Sequence, residues 1–171
     1  MLIKYDCTFF TATILEWKHA LAEAEGKQII TDSLSFLVND GRAYVNAFVI
    51  MDNHIHLIWH IREPHNREVV QRDFLRYTAS EIIKRIRQLA PERLNEYRVN
   101  AADRKYQIWE RNALSIALWS EEVLLQKINY LHQNPVRKGF CERPEDYKYS
   151  SAGYYLTGDK RYSFLTHFRY A

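Results

Sequence analysis

Cysteine is almost absent. Only Cys7 and Cys141 occur in 171 residues, and they form no CxxC pair. That excludes a disulfide framework and a thiolate zinc site, and it fits a reducing cytosol. Long apolar runs are missing as well. No segment approaches the ~20 residues a membrane-spanning helix needs, so no membrane partner is expected. The opening stretch M-L-I-K-Y-D-C-T-F-F lacks the basic flank and long apolar core of a signal peptide. No internal repeat, low-complexity run or linker breaks the chain, which predicts one domain over 1–171. Apolar residues make up 47%, enough for a sizeable core. A net charge of +3 and a pI near 8.8 are compatible with a nucleic-acid partner without demanding one.

The chain is organised around Val45 to Ile61, V-N-A-F-V-I-M-D-N-H-I-H-L-I-W-H-I. Its β-branched and aromatic content predicts strands. On a strand, side chains alternate between faces, so His54 and His56 point the same way and Ile55 the other. Two imidazoles on one rigid face form half of a divalent-metal site. The plain alternative is a pair of solvated histidines on an edge strand. His60 shares their parity but lies ~13 Å beyond His56 on an extended strand, too far to join the same ion. A helical zinc-protease arrangement of His56 and His60 is excluded, because Leu57 stands where the glutamate is needed.

Elsewhere the pattern predicts a strand over Tyr5 to Ile14. Helical spacing follows at Glu16 to Ala24 and Asp32 to Val38, with Trp17 and Leu21 on the first stripe. Gly26 and Thr31-Asp32 mark this as one broken helix or two short ones. Asn39-Asp40-Gly41 turns into a strand over Arg42 to Met51, and a tight connection leads to His54 to Ile61, ended by Pro64. Arg67 to Leu89 is the longest helical pattern, with Val70, Phe74, Tyr77, Ile82, Ile86 and Leu89 on its apolar side. Pro91 to Lys105 reads as a loop with a short turn, and Ala113 to Leu118 as a fourth strand. Ser120-Glu121-Glu122 starts a helix that runs to about His132 and stops before Pro135. The tail, Arg137 to Ala171, is tyrosine-rich and shows no periodicity. The order β-α-β-β-α-β-α predicts an α+β fold, a ferredoxin-like antiparallel sheet with helices packed on one face.

In the last helix Leu124, Ile128 and Leu131 form the apolar stripe. Tyr130 lies ~120° from it, on a face shared with Gln126, Lys127 and Asn134. The plain alternative is a surface tyrosine, one of twelve. A tyrosine hydroxyl, with a pKa of about 10, is a poor nucleophile unless a metal polarises the scissile phosphate. His54 and His56 would hold such an ion. Asn134, one turn beyond Tyr130, is the candidate third ligand, with Gln133 and Gln126 as alternatives. Basic residues also interleave with aromatics: Arg72, Arg76-Tyr77, Lys84-Arg85, Arg104-Lys105-Tyr106, Arg111 and Arg137-Lys138. Cations contact phosphates and aromatic faces stack unpaired bases; solvated helix faces are the plain alternative.

The motifs A-F-V-I-M-D-N-H-I-H-L-I-W (47–59), F-L-R-Y-T-A (74–79), W-E-R-N (109–112), Y-L-H-Q-N-P-V-R-K-G (130–139) and R-P-E-D-Y-K-Y-S-S-A (143–152) together resemble the single-tyrosine HUH transposases. Among these the branch associated with repetitive extragenic palindromes is the most similar. The resemblance implies His54, His56 and Asn134 as ligands of Mg²⁺ or Mn²⁺ and Tyr130 as nucleophile. It implies single-stranded DNA beside a hairpin as substrate, a 5′-phosphotyrosine intermediate and a free 3′-OH. Candidate DNA contacts are Arg72, Arg76, Lys84, Arg104, Lys105, Arg111, Lys127 and Arg137. Compact relatives are homodimers that exchange tyrosine helices, whereas palindrome-associated ones can be monomers, so both states stay open here. The implied location is the cytoplasm, at the nucleoid. The chain departs in carrying Asp52 where relatives often have proline, and in longer segments at Glu16–Asn39 and Pro91–Lys105. Two rivals remain: a catalytically silent nucleic-acid-binding module of the same fold, and a metal phosphoesterase that activates water.

Overall fold

A computed structural model describes residues 6–170. Four strands, β1 (Cys7–Thr13), β2 (Ala43–Ile50), β3 (His54–Ile61) and β4 (Leu114–Leu118), form one antiparallel sheet in the order β2-β3-β1-β4. The helices are α1 (Ala24–Asn39), α2 (Arg67–Leu89), α3 (Glu121–Arg137) and the short α4 (Ala152–Thr157). Strand order matches the ferredoxin-like expectation, and α1 and α2 lie on one face as expected, whereas α3 does not join them there. Among the described residues no helix is long and apolar enough to cross a membrane. Tyr5, expected at the start of the first strand, lies outside the described residues.

Alternation along the strands separates two cores. Phe10, Ala12, Ile14, Phe48, Ile50, Ile55, Leu57 and Trp59 pack under α1 and α2 with Ile30, Leu34, Val70, Phe74, Ile82 and Ile86. Phe9, Val49, Met51 and Ile58 face the opposite way, against Leu124, Ile128 and Leu131 of α3. So α1 and α2 share one face as expected, and α3 covers the other. One extra residue in β2, Asn46, shifts the pairing from Val45↔Trp59 to Ala47↔Ile58. This β-bulge leaves the Asn46 carbonyl free to accept from the Tyr155 hydroxyl, 2.7 Å.

Local expectations fail in four places. Gly26 does not break a helix; it lies in the first turn of α1, where a Cβ would come 3.0 Å from the Ala20 carbonyl oxygen. Glu16 to Ala24 is not a helical stripe, since only Leu15–Trp17 forms a single 3-10 turn and Trp17 is 61% exposed. In α2 the buried line is Val70, Phe74, Thr78, Ile82 and Ile86, spaced by four, which leaves Tyr77 and Leu89 exposed. Thr78 is tolerated there because its hydroxyl donates to Phe74 O at 2.8 Å and accepts from Trp109 Nε1 at 3.0 Å. Finally, α3 does not stop before Pro135 but runs through it to Arg137. Proline removes one backbone donor, but Leu131, His132, Asn134 and Pro135 are all buried. Their tertiary contacts override the local preference. The Lys138 amide closes the last turn onto Asn134 O at 3.1 Å, and Gly139, at φ 78°, ends it.

The aperiodic tail caps the β2 side. Ile50 N donates to Tyr149 O, Thr166 N to Val45 O, and the Tyr147 hydroxyl to Ile50 O at 2.7 Å. The edge strand is thereby covered instead of open.

Candidate active site

The even-numbered residues of β3 face α3, and that helix is held by Leu124, Ile128 and Leu131. This stripe sets the rotation that brings Tyr130 and Asn134 to the histidines. The His54 and His56 rings lie 4.9 Å apart, and the Tyr130 ring is 5.6 Å from His56. Asn134 is 4% exposed, and its Nδ2 donates to His54 Nε2 at 2.9 Å. Tyr130 is 44% exposed, so its side chain is open to solvent. One chain supplies all four residues. Of the three amides considered, Asn134 is buried against His54, whereas Gln126 is exposed and Gln133 half-buried. His60 is apart, bonded to Asp6 O at 2.9 Å.

The two imidazoles are held as neutral bases. Burial pulls His54 down to about 4, with Lys138 adding to the effect. Burial likewise pulls His56 down to about 3, followed by His54, Arg137 and Lys127. Their outer nitrogens are oriented: His54 Nδ1 donates to Asn53 Oδ1 at 2.8 Å, and His56 Nδ1 pairs with Thr11 Oγ1 at 2.8 Å. Such partners fix ring orientation, and at His54 they leave Nε2 as the acceptor that Asn134 donates to.

The donor set fits a hard or borderline divalent ion in an open site. Adjacent ligands at ~2.1 Å on an octahedral ion stand ~3 Å apart, and His54 Nε2 and the Asn134 amide are 2.9 Å apart. A half-turn of the amide would present oxygen in place of nitrogen. Among the described residues no three His, Cys, Asp or Glu side chains gather into a closed cage. Two imidazoles and one amide would leave most coordination positions to water and substrate oxygen.

Six of the eight residues expected to contact DNA line one groove of about 1150 Å³: Arg72, Arg76, Lys84, Arg104, Lys105 and Arg111, joined by Arg87. The other two flank the tyrosine. Lys127 Nζ lies 5.5 Å and Arg137 Cζ 4.6 Å from the Tyr130 ring centre. Residues that sequence reasoning missed are Thr11, Asn53, Lys27 and Trp17. Lys27 is buried, and its ammonium donates to Asp52 Oδ1 at 2.8 Å and to Leu21 O at 2.6 Å, tying α1 to the turn before the histidines. Asp52 thus anchors that turn through a side-chain bond.

A His-x-His strand faced by a tyrosine helix on a ferredoxin-like sheet is the class this geometry defines. The same fold occurs in a REP-associated tyrosine transposase solved bound to a REP hairpin. The two superpose with a TM-score of 0.65 over 89% of this chain and 79% of that one, at 18% identity. A candidate transposase from Deinococcus radiodurans R1 overlaps more loosely, with a TM-score of 0.44 at 14% identity over 74% of this chain and 88% of that one. No protein-family model and no curated protein matches the sequence.

Proposed function

We propose that this chain is a metal-dependent single-stranded DNA endonuclease and strand-transferase of the tyrosine transposase type, acting beside a DNA hairpin. The observation that carries this is the meeting, within one chain, of the Tyr130 ring with His56 at 5.6 Å and of Asn134 with His54 at 2.9 Å. The solved neighbour's hairpin and the cation-lined groove support the choice of DNA.

His54, His56 and Asn134 would hold Mg²⁺ or Mn²⁺, which when bound polarises the scissile phosphate and offsets developing charge. Tyr130 Oη attacks phosphorus. An O–P bond forms to the tyrosine, the bond from phosphorus to O3′ breaks, and the leaving oxygen takes up a proton while the phenol loses one. The products are a 5′-phosphotyrosine and a free 3′-OH. Because the linkage conserves the bond energy, a second 3′-OH can reverse the step and rejoin strands. Lys127 and Arg137 beside the ring would steady the phosphate approaching Tyr130. Asn134 and Tyr130 share a helix, which fixes their spacing. With all parts in one chain, a monomer is sufficient.

The test is covalent trapping. Labelled single-stranded hairpin oligonucleotides with single-stranded flanks are incubated with Mg²⁺ and resolved on a denaturing gel, with Tyr130→Phe and EDTA in parallel. The expected result is a labelled adduct that needs both Tyr130 and metal, with DNA binding largely kept in the variant. Cleavage that survives Tyr130→Phe would assign the site to a water-activating phosphoesterase. Binding without cleavage would assign it to a silent binding module.

A further inference from the structure

We infer that Trp17 is a base-stacking platform for single-stranded DNA at the mouth of the candidate site, a nucleotide-positioning residue. This rests on the DNA reading above. Three observations meet at this residue. Trp17 is 61% exposed, so the core gains little from it, whereas Trp59 is fully buried and Trp109 is 6% exposed. Its ring packs perpendicular to His54, 6.0 Å away. And its backbone is in the left-handed region at φ 57°, directly after Glu16 at φ 52°. Two successive non-glycine residues in that region are rare, and persist only where their surroundings over-determine them.

The surroundings here are specific. Glu16 N donates to Glu110 Oε1 at 2.6 Å, Trp17 N to Ile14 O at 2.9 Å and Lys18 N to Leu15 O at 3.0 Å. Lys18 pairs with Glu16 at 3.2 Å and also donates to the Glu96 carbonyl. The strained turn is therefore anchored at Glu110, a residue of the cationic groove wall. Trp17 thus touches His54, while its neighbour Glu16 bonds to Glu110 of the groove wall. A strand whose phosphates follow Arg76, Arg104 and Arg111 would pass the indole just before the histidines. There a flat, exposed ring stacks an unpaired base of any identity. Holding one base would hold the phosphate next to it in register with Tyr130.

The test separates base from backbone. Binding of a labelled hairpin with an oligodeoxyadenylate flank is measured without metal, in the Tyr130→Phe background, against the same hairpin with an abasic flank of equal length. Trp17→Ala should weaken the adenylate by about 5- to 150-fold and leave the abasic strand unchanged, with Trp17→Phe in between. A Trp119→Phe variant removes the other exposed tryptophan. In it, the remaining exposed indole fluorescence should be quenched by adenylate and not by the abasic strand. Equal affinity of Trp17→Ala and its parent for adenylate, or equal losses on both strands, would overturn the stacking role and leave the DNA reading standing. If the parent binds neither strand, the DNA reading falls and Trp17 with it. An unchanged melting temperature in Trp17→Phe keeps folding out of the comparison.

Discussion

The odd and even residues of β3 are buried to nearly the same degree for opposite reasons. Ile55, Leu57 and Trp59 are fully buried under α1 and α2. They gain from leaving water, on the order of 25 cal/mol per Å² of apolar surface. His54 and His56 are 7% and 6% exposed under α3, and burial works against their charged forms. One side of a single strand therefore stabilises the fold, while the other holds a pair of neutral imidazoles at a cost the first side offsets. The stable side also gives the site its precision: rings on a strand pinned by three buried neighbours have little room to drift.

This division is breakable, and the largest effects fall on chemistry. His56→Ala is expected to lower metal-dependent cleavage by on the order of 10³-fold, with only a small change in urea midpoint. If activity survives, the even face is not the reacting one. Leu57→Ala on the odd face should do the reverse. It should destabilise by about 2–5 kcal/mol, as deletion of a buried leucine does, while the folded fraction still binds metal and DNA. Equilibrium urea melts paired with binding isotherms read both. Equal stability losses for His56→Ala and Leu57→Ala would mean the imidazole is core filling.

Thr11→Val sharpens the comparison within the even face. The hydroxyl 2.8 Å from His56 Nδ1 goes, while the shape of the side chain stays. Loss of such an orienting partner costs about 10–100-fold in metal affinity or activity. The expected readout is a raised Mn²⁺ requirement for cleavage at unchanged melting temperature. Activity unchanged at limiting Mn²⁺ would remove Thr11 from the site.

Which features the chain announces locally follows the same division. The limits of β3 and α2 are legible because alternation and Pro64 bracket the strand and helical spacing fills Arg67 to Leu89. The histidine pair and Tyr130 are legible from strand parity and helix phase. Thr11 is not, because it meets His56 only through the β1–β3 register, 45 residues away in sequence. Gly26 looks like a breaker because its close approach to the Ala20 carbonyl, six residues back, depends on how the chain folds into the helix and not on residue type. Trp17 and Leu21 share a helical spacing, yet only Leu21 is buried. The left-handed turn that exposes the indole depends on Glu110, 94 positions from Glu16. Pro135 misleads for a similar reason, since the contacts that carry α3 through it lie on the sheet.

The smallest expected effect concerns a third buried histidine on the α3 side, His132. Its Nε2 lies 2.7 Å from Ser151 Oγ, and burial pulls it from its ordinary 6.5 down to about 4. Below pH 6.5 the unfolded chain takes up a proton that the folded chain refuses, so stability rises with pH in this window. The contribution is fully present above about 6.5 and is lost as pH falls toward about 4. At pH 5 the loss from this one group is on the order of 2 kcal/mol. His54 and His56, depressed for the same reason, act in the same direction when no metal is bound. Urea melts in EDTA between pH 7.5 and 4.5 should show stability falling with acid. In His132→Gln the pH dependence should be shallower by about one proton, at some constant cost in stability. A parent protein equally stable at pH 7 and pH 5 would mean that His132 titrates normally, and that the α3 face is wetter than the face beneath α1 and α2.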